Sequence, residues 1–278
     1  MIWGNYIKMD SIRENRTKED IIAEIRALFS EDIEGQRCIV LVEGSDDVKF
    51  MDIVLEENVC CVEAIGGKHG LTDLITSDNP TLKKKEVIAV RDKDYVDIEE
   101  LPNRVFTYDG CCLETMILLN PAVSEGFHRA YYNGDLNKEC YLINAMRQLA
   151  PYSVLRKLND LEGGSIPFKT IGFGNLVNED ILEIEDLFCR AGQSDRLASC
   201  KEMADQLLDR ELWNITNGHD LYKYLGMISD IGGRNTLGER GVKVVLSSLY
   251  RKEDFKNTEL YHKILEYQNI NMLKFVDE

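Results

Sequence analysis

Four short apolar runs in the first 110 residues alternate with segments in which apolar residues recur at helical spacing. The first run, 38–42, contains five consecutive apolar residues, which is typical of a strand buried on both faces of a parallel sheet. The other runs lie at 59–65, 86–90 and 104–108. Strands that alternate with helices in this way predict an α/β fold with a parallel sheet flanked by helices.

Capping residues and apolar spacing predict the helices around this sheet. A helix is expected over 18–30, behind the capping-box pattern that starts at Thr17. After the first strand, Ser45 or Asp46 is expected to cap a second helix. The apolar face predicted for that helix comprises Val48, Met51, Ile53, Val54 and Leu55. Shorter helices are expected behind the glycine-rich loop 66–70 and over 113–119, and Lys83 to Lys85 are expected to form a solvated connector.

The pattern becomes mainly helical after Asn120, and Pro121 is placed to start a helix. Further helices are predicted at 137–150, 178–190, 195–210, 219–229, 239–250 and 258–268. Only 166–173 has the composition of a strand. The predicted organisation is an amphipathic helical segment at 1–35, an α/β domain at 36–120 and a mainly helical C-terminal domain at 121–278.

The amino-acid composition limits which classes of function the chain can have. The 278 residues include 49 acidic and 33 basic side chains, a net charge of −16, which argues against a general polyanion binder. A nuclease that reaches its substrate through a divalent cation and a local basic strip remains compatible with this charge. The sequence has no apolar run of about 18 residues and no secretory signal, so a cytoplasmic protein without a membrane span is expected. Met9 is an alternative to Met1 as the start.

Eight cysteines are present, and none of them forms a CxxC pair. Several lie in strand-like apolar runs, so buried free thiols in a reducing compartment are expected in preference to a zinc site or disulfides.

Acidic residues follow three of the four predicted strands. Glu43 follows the first strand, Asp92 and Asp94 the third, and Asp109 the fourth. Parallel strands bring these ends to one edge of the sheet, where crowded carboxylates repel one another unless a cation lies between them. Asp92 and Asp94 are expected to point the same way from an extended chain. Carboxylate oxygens are ligands that suit Mg²⁺ or Mn²⁺. The alternative interpretation is that these acids form a solvated rim and bind no metal.

Val42-Glu43-Gly44, Asp47 and the Asp92-Lys93-Asp94 motif resemble the TOPRIM domain of topoisomerases, bacterial primases, OLD-family nucleases and the 5S rRNA maturase. The chain is most similar to the DUF4435 type of TOPRIM protein, over most of its length from about residue 18. The supporting segments are 41–50, 90–95, 107–109 with 113–114, and 217–221.

The DUF4435 family includes the nuclease effector of the PARIS anti-phage defence system, a toxin that an ABC-type ATPase restrains until infection. The resemblance therefore implies a Mg²⁺-dependent ribonuclease that cleaves host tRNA, has such an ATPase partner and is active as a homodimer. It also implies roles for four acids. Glu43 would be the general acid/base or a metal ligand, Asp92 and Asp94 would bind metal, and Asp47 would take the place of the second acid in the OLD-like pattern.

Several further residues have two interpretations each. Lys68, in its glycine-flanked loop, is either the cation for the phosphate or a turn residue, and Glu114 is either an outer ligand or an acid at a helix N-terminus. His219 is a possible accessory residue, whereas Asp220 is favoured as the N-cap of a helix at 221–229. A basic strip is either a nucleic-acid contact or a solvated face. It consists of Arg234, Arg240, Lys243, Arg251 and Lys252.

Three other functions compete with an RNase. One is a TOPRIM scaffold or binding module without catalytic metal, and another is an OLD-like DNA nuclease. A haloacid-dehalogenase-like phosphatase is disfavoured, because its nucleophilic Asp should follow the first strand, where this chain has Glu43. The sequence has no Gly-x-x-x-x-Gly-Lys-Ser/Thr loop, so any ATP hydrolysis is assigned to a partner.

Overall fold

The computed structural model describes residues 16–96, 98–164, 166–178, 180–232 and 235–277, without the side chain of Lys68. They form two compact units. Within the described residues, unit 1 comprises 16–91, 101–106 and 261–277, and unit 2 comprises the remainder.

A four-stranded parallel sheet is the centre of the α/β part, which confirms the predicted fold class. Its strands are β1 (Cys38–Val42), β2 (Val59–Glu63), β3 (Val87–Arg91) and β4 (Val105–Thr107), in the order β2-β1-β3-β4. β1 pairs with β2 from Cys38 opposite Val59 to Val42 opposite Glu63, and it pairs on its other side with β3. All five residues of β1 are buried, as its continuous apolar run predicts.

Three helices of unit 1 follow the predicted order: α1 (Lys18–Ser30), α2 (Ser45–Val54) and α3 (Gly67–Ile75). The predicted capping box at Thr17 is confirmed, because its hydroxyl accepts the N–H of Asp20 at 3.2 Å while its own N–H donates to the Asp20 carboxylate at 2.8 Å. α1 and α3 bury their apolar faces against the sheet, chiefly through Ile21, Ile25 and Leu71.

The predicted cap and apolar face of α2 are partly wrong. The N-cap is Gly44, which makes no side-chain cap hydrogen bond, and Ser45 and Asp46 already lie inside the helix. Ile53 is 55 % exposed, and the buried residue on its turn is Phe50. The helix is therefore rotated from the predicted orientation, because Phe50, Met51 and Val54 together form its buried face.

Unit 2 is mainly helical, in agreement with the predicted C-terminal half. Its helices are α4 (Leu113–Leu119), α5 (Pro121–Tyr131), α6 (Lys138–Leu161), α7 (Ile184–Arg190), α8 (Leu197–Asp205), α9 (Asp209–Ile215), α10 (Gly218–Ile228), α11 (Gly238–Leu249) and α12 (Lys252–Phe255). The last helix, α13 (Glu259–Asn271), begins in unit 2 and continues into the segment assigned to unit 1.

Several predicted bounds in this half are wrong. α6 continues through Pro151 to Leu161, because the residues around the proline are buried and their packing outweighs the lost hydrogen bond. The segment predicted as a helix from 178 begins instead with a two-stranded antiparallel pair, β5 (Val177–Asn178) and β6 (Ile181–Leu182), which turns at Asp180 with φ +62°. The region 166–173 contains a 3₁₀ turn (Phe168–Thr170) in place of a strand, and the helix expected over 195–210 is divided into α8 and α9.

The compact units have bounds that differ from the predicted domains, which stay predictions. Residues 261–277 belong to unit 1, where Glu56 N–H donates to Phe275 O at 3.1 Å and the Asn58 amide donates to Lys274 O at 3.0 Å. Residues 1–15 of the predicted N-terminal segment lie outside the described residues. Within the part of the chain that is described, no helix is long and apolar enough to cross a membrane.

Candidate functional site

Glu43 directly follows the central strand β1 and lies beside a buried cation. The Arg91 guanidinium is 5 % exposed, and its Nε is 3.7 Å from Glu43 Oε1, while its Nη1 donates to Thr72 Oγ1 at 3.3 Å. The Glu43 side chain is 19 % exposed, so one side of its carboxylate faces Arg91 and the group still reaches the surface. Sequence reasoning missed Arg91. Its signal was a basic residue at the end of an otherwise apolar strand.

Asp47 lies in the first turn of α2, close to the same strand end. A Cβ atom placed on Gly44 would lie 3.4 Å from Asp47 Oδ2, so this carboxylate folds back over the start of its own helix. The partial positive charge of the helix N-terminus stabilises an acid there. Glu43 and Asp47 thus present their carboxylates from one short segment of unit 1.

A cleft of about 320 Å³ opens at the carboxyl end of β1 and β2 in unit 1. Glu43 and Glu63 contribute acids to its lining, and Arg16 contributes a guanidinium. Its other side is formed by the chain from Ala64 to Gly67. The predicted glycine-rich loop is mostly the first turn of α3, which begins at Gly67 after Gly66 in the left-handed conformation. The side chain of Lys68 lies outside the described part, so its phosphate role stays a prediction.

Asp92 directly follows β3, the neighbour of β1 in the sheet. Its Oδ1 accepts the N–H of Leu113, the first residue of α4, at 3.2 Å. Asp94 has φ +48°, and its N–H donates to Cys111 O at 2.8 Å. The expected extended chain is therefore wrong at Asp94, where the chain turns, and the common direction of the two side chains stays a prediction.

Asp109 serves as a helix cap. Its two carboxylate oxygens accept the N–H groups of Glu259 at 2.7 Å and Leu260 at 2.9 Å, at the start of α13. This is a normal use of aspartate at a helix N-terminus, and it explains the third strand-end acid without a metal.

The four other predicted site acids carry the type of donor atom that a hard divalent cation prefers. Glu43, Asp47, Asp92 and Asp94 offer only oxygen, which is what Mg²⁺ and Mn²⁺ bind in proteins. Within neither unit do the described residues form a group of three or more His, Cys, Asp or Glu side chains around one ion position. Mg²⁺ commonly uses one or two protein carboxylates together with water and substrate phosphate, so two carboxylates within one unit, such as Glu43 and Asp47, are sufficient for it.

His219 lies between two carboxylates in unit 2. Its Nδ1 is 3.0 Å from Glu239 Oε1, and its Nε2 is 3.8 Å from Glu114 Oε1. α10 approaches α4 closely at Gly218, where a Cβ atom would lie 2.4 Å from Glu114 Cβ. The structure thus brings together the accessory candidates Glu114 and His219, and it adds Glu239, which the sequence alone did not indicate.

Asp220 is not the N-cap that was predicted. Asn217 is the cap, since its side chain accepts the N–H of Asp220 at 3.3 Å. The Asp220 carboxylate is 2 % exposed and makes a two-point contact with Arg156, at 2.9 Å for Nη2 to Oδ1. Lys223 Nζ lies 3.6 Å from the same carboxylate. Asp220 is therefore half of a buried ion pair.

The predicted basic strip is partly described. Arg240 and Arg251 are exposed, whereas Lys243 and Lys252 are half-buried. Arg240 and Lys243 lie three residues apart on α11, hence on one face. Arg234 lies outside the described residues. A nucleic-acid contact along this strip stays a prediction.

The fold defines the class of protein as α/β, with a parallel sheet that carries acids at its carboxyl edge and a mainly helical second unit. The sequence matches no family model and has no significant match among curated proteins.

Proposed function

We propose that the chain is a Mg²⁺- or Mn²⁺-dependent nuclease of the TOPRIM type, with RNA, and tRNA in particular, as the substrate. The observation that carries the proposal is the position of Glu43, which follows the central strand and pairs with the buried Arg91. β1 and β3 are neighbours in the parallel sheet of unit 1, and Glu43 follows β1 at the carboxyl edge of that sheet. That edge is where ligands bind in open α/β sheets.

The resemblance makes Glu43, Asp47, Asp92 and Asp94 the proposed metal ligands; the first two belong to unit 1 and the last two to unit 2. When bound, the cation supplies positive charge for the phosphodiester and lowers the pKa of a coordinated water. The Arg91 guanidinium places a positive charge 3.7 Å from Glu43 Oε1, beside the carboxylate proposed as a metal ligand or general base. The exposed residues of the basic strip, Arg240 and Arg251, are proposed to contact the nucleic-acid backbone.

The toxic role in phage defence, the restraining ABC-type ATPase and the active homodimer belong to the same proposal. They rest on the resemblance to the DUF4435 effectors. The corresponding test is co-expression, in which the ATPase should bind this chain and suppress its toxicity.

Purified protein tests the nuclease directly. Wild type should cleave tRNA with Mg²⁺ or Mn²⁺ and lose this activity in EDTA. Glu43→Gln should lower the cleavage rate by about 100-fold or more, because it removes the charge of a ligand or base, and circular dichroism should show a native fold. The matched control is Glu57→Gln, an exposed acid of unit 1 outside the site. A Glu43→Gln variant that cleaves as fast as Glu57→Gln would refute the mechanism.

A binding module without catalytic metal is the second candidate. It is favoured by the engagement of Asp92 and Asp109 with backbone N–H groups at helix starts. Isothermal calorimetry distinguishes it: RNA binding without Mg²⁺ or Mn²⁺ binding, together with no cleavage of RNA, would support the module. Plasmid DNA in the same cleavage assay tests the OLD-like DNA nuclease.

A further inference from the structure

Lys93 occupies the position between the two acids of the Asp92-Lys93-Asp94 motif, and its side chain is held by a neutral partner. Its ammonium donates to the side-chain oxygen of Asn214 on α9 at 3.0 Å. The amide nitrogen of Asn214 in turn donates to Arg210 O at 3.4 Å, which fixes the oxygen toward the lysine. All these residues belong to unit 2.

The loop that carries Lys93 is itself tied to the rest of unit 2. Asp94 N–H donates to Cys111 O at 2.8 Å, and Val96 N–H donates back to Lys93 O at 3.2 Å. Tyr95 Oη lies 3.5 Å from Ile215 O, so α9 contacts this loop through two consecutive residues, Asn214 and Ile215. Lys93 therefore lies in a turn that backbone hydrogen bonds hold within unit 2.

The electrostatic surroundings of Lys93 differ from those of three other lysines in unit 2. Lys138, Lys201 and Lys223 each lie within 3.6 Å of a carboxylate oxygen. Lys93 makes no ion pair with any described residue, although its chain neighbours are both aspartates and the protein carries a net charge of −16. An ammonium has three donors, and Asn214 accepts only one of them.

We propose that Lys93 contacts a phosphate of the nucleic-acid substrate and that Asn214 is its positioning residue. The inference rests on the proposed nuclease function and assigns its phosphate-binding cation. A lysine ammonium binds phosphate as a compact point charge, and its two remaining donors are available for phosphate oxygens. The motif then supplies both signs of charge, with acids for the cation and Lys93 for the phosphodiester.

The test measures RNA binding in EDTA, so that it does not depend on cleavage. The affinity of the 278-residue chain for a tRNA transcript is determined over a series of KCl concentrations. Each phosphate contact contributes about 0.7–0.9 to the slope of log K against log salt concentration. Lys93→Gln should reduce the slope by about this amount. Lys93→Arg, which keeps the charge, should retain it.

Lys85→Gln is the matched control. Lys85 is an exposed lysine of unit 1 whose ammonium also donates to a single neutral oxygen, Asn271 O, at 2.7 Å. Its replacement removes the same charge from the protein and should leave the slope unchanged. Asn214→Asp tests the contact without a change in the loop, because the new carboxylate would pair with Lys93 and compete with the phosphate. RNA affinity should fall in this variant.

One outcome would overturn the role of Lys93 and leave the proposed nuclease function intact. In it, the wild type binds and cleaves RNA, and Lys93→Gln has the same salt dependence of RNA binding as Lys85→Gln. If Lys93→Gln fails to fold, unchanged RNA affinity in a folded Asn214→Asp variant has the same meaning. Wild type that neither binds nor cleaves nucleic acid would overturn both proposals. A slope of log K against log salt concentration that is reduced in Lys93→Gln but not in Lys85→Gln supports the phosphate contact of Lys93.

Discussion

At the scale of single residues, Arg91 determines how Glu43 is interpreted. A guanidinium that is 5 % exposed requires nearby acceptors, because an uncompensated buried charge costs several kcal/mol. Thr72 and Glu43 both lie beside it. Glu43 thus has a structural role that is independent of catalysis, and for this reason the tests of its chemical role use the near-isosteric glutamine and include a measurement of folding.

Asp94 is the second informative residue, because few non-glycine residues adopt a positive φ without a functional or packing reason. Asp94→Gly and Asp94→Ala both remove the proposed ligand, so both should lose metal-dependent cleavage. They should differ in stability. Glycine accepts φ +48° without steric cost, whereas alanine does not, so Asp94→Ala should unfold at a free energy about 1 kcal/mol below that of Asp94→Gly.

Urea denaturation of the two Asp94 variants measures this difference. Equal stabilities would show that the turn at Asp94 carries no strain. Full cleavage activity in either variant would remove Asp94 from the metal site.

At the scale of elements, the start of α10 shows how one sequence motif serves several purposes. Asn217 caps the helix, Gly218 allows its close approach to α4, and His219 lies between Glu114 and Glu239. Asp220 turns into the interior toward Arg156. Four consecutive residues therefore fix the position of one helix N-terminus through four different contacts.

The cap and the ion pair at this helix are expected to contribute different amounts to the free energy of unfolding. Asn217→Ala should lower the free energy of unfolding by about 1 kcal/mol, the usual value of an N-cap. Asp220→Asn should lower it by about 3–5 kcal/mol, because it leaves the Arg156 guanidinium without its buried carboxylate.

Chemical denaturation of both variants, followed by fluorescence, compares the two. A larger loss for Asn217→Ala than for Asp220→Asn would contradict the assignment of Asp220 to the ion pair and would restore a capping role.

At the scale of the whole molecule, the eight cysteines are free thiols, as predicted. Burial is less general than predicted, because Cys140 and Cys189 are exposed while Cys60 and Cys61 are only half-buried. Burial raises the pKa of the Cys38 thiol to about 11 and also raises the pKa of Cys61. The thiolate is the reactive form, so the raised pKa lowers the reactivity of both thiols, and burial also limits access to Cys38.

Titration of the native protein with an aromatic disulfide reagent at pH 8 should therefore modify Cys140 and Cys189 rapidly. The other six cysteines should react only slowly, or after denaturation. Peptide mapping identifies the modified positions. Rapid modification of Cys38 or Cys111 in the folded protein would contradict the described burial.

The sequence by itself determined the features that depend on neighbours along the chain. A continuous apolar run is sufficient to predict the buried strand β1, and Glu43 must then follow it at the edge of the sheet. The Thr17 capping box and the mainly helical second half were predicted for the same reason, since apolar spacing and capping residues act within a few positions.

Only the tertiary structure decided the features that depend on partners far away in the chain. Asp109 reaches the start of α13, about 150 positions later, and Asp220 reaches back to Arg156. Pro151 remains inside a helix because its surroundings are buried. The sequence around an aspartate looks the same whether the residue caps a helix, pairs with a buried arginine or binds a metal ion. The choice depends on which groups the fold brings within hydrogen-bonding distance.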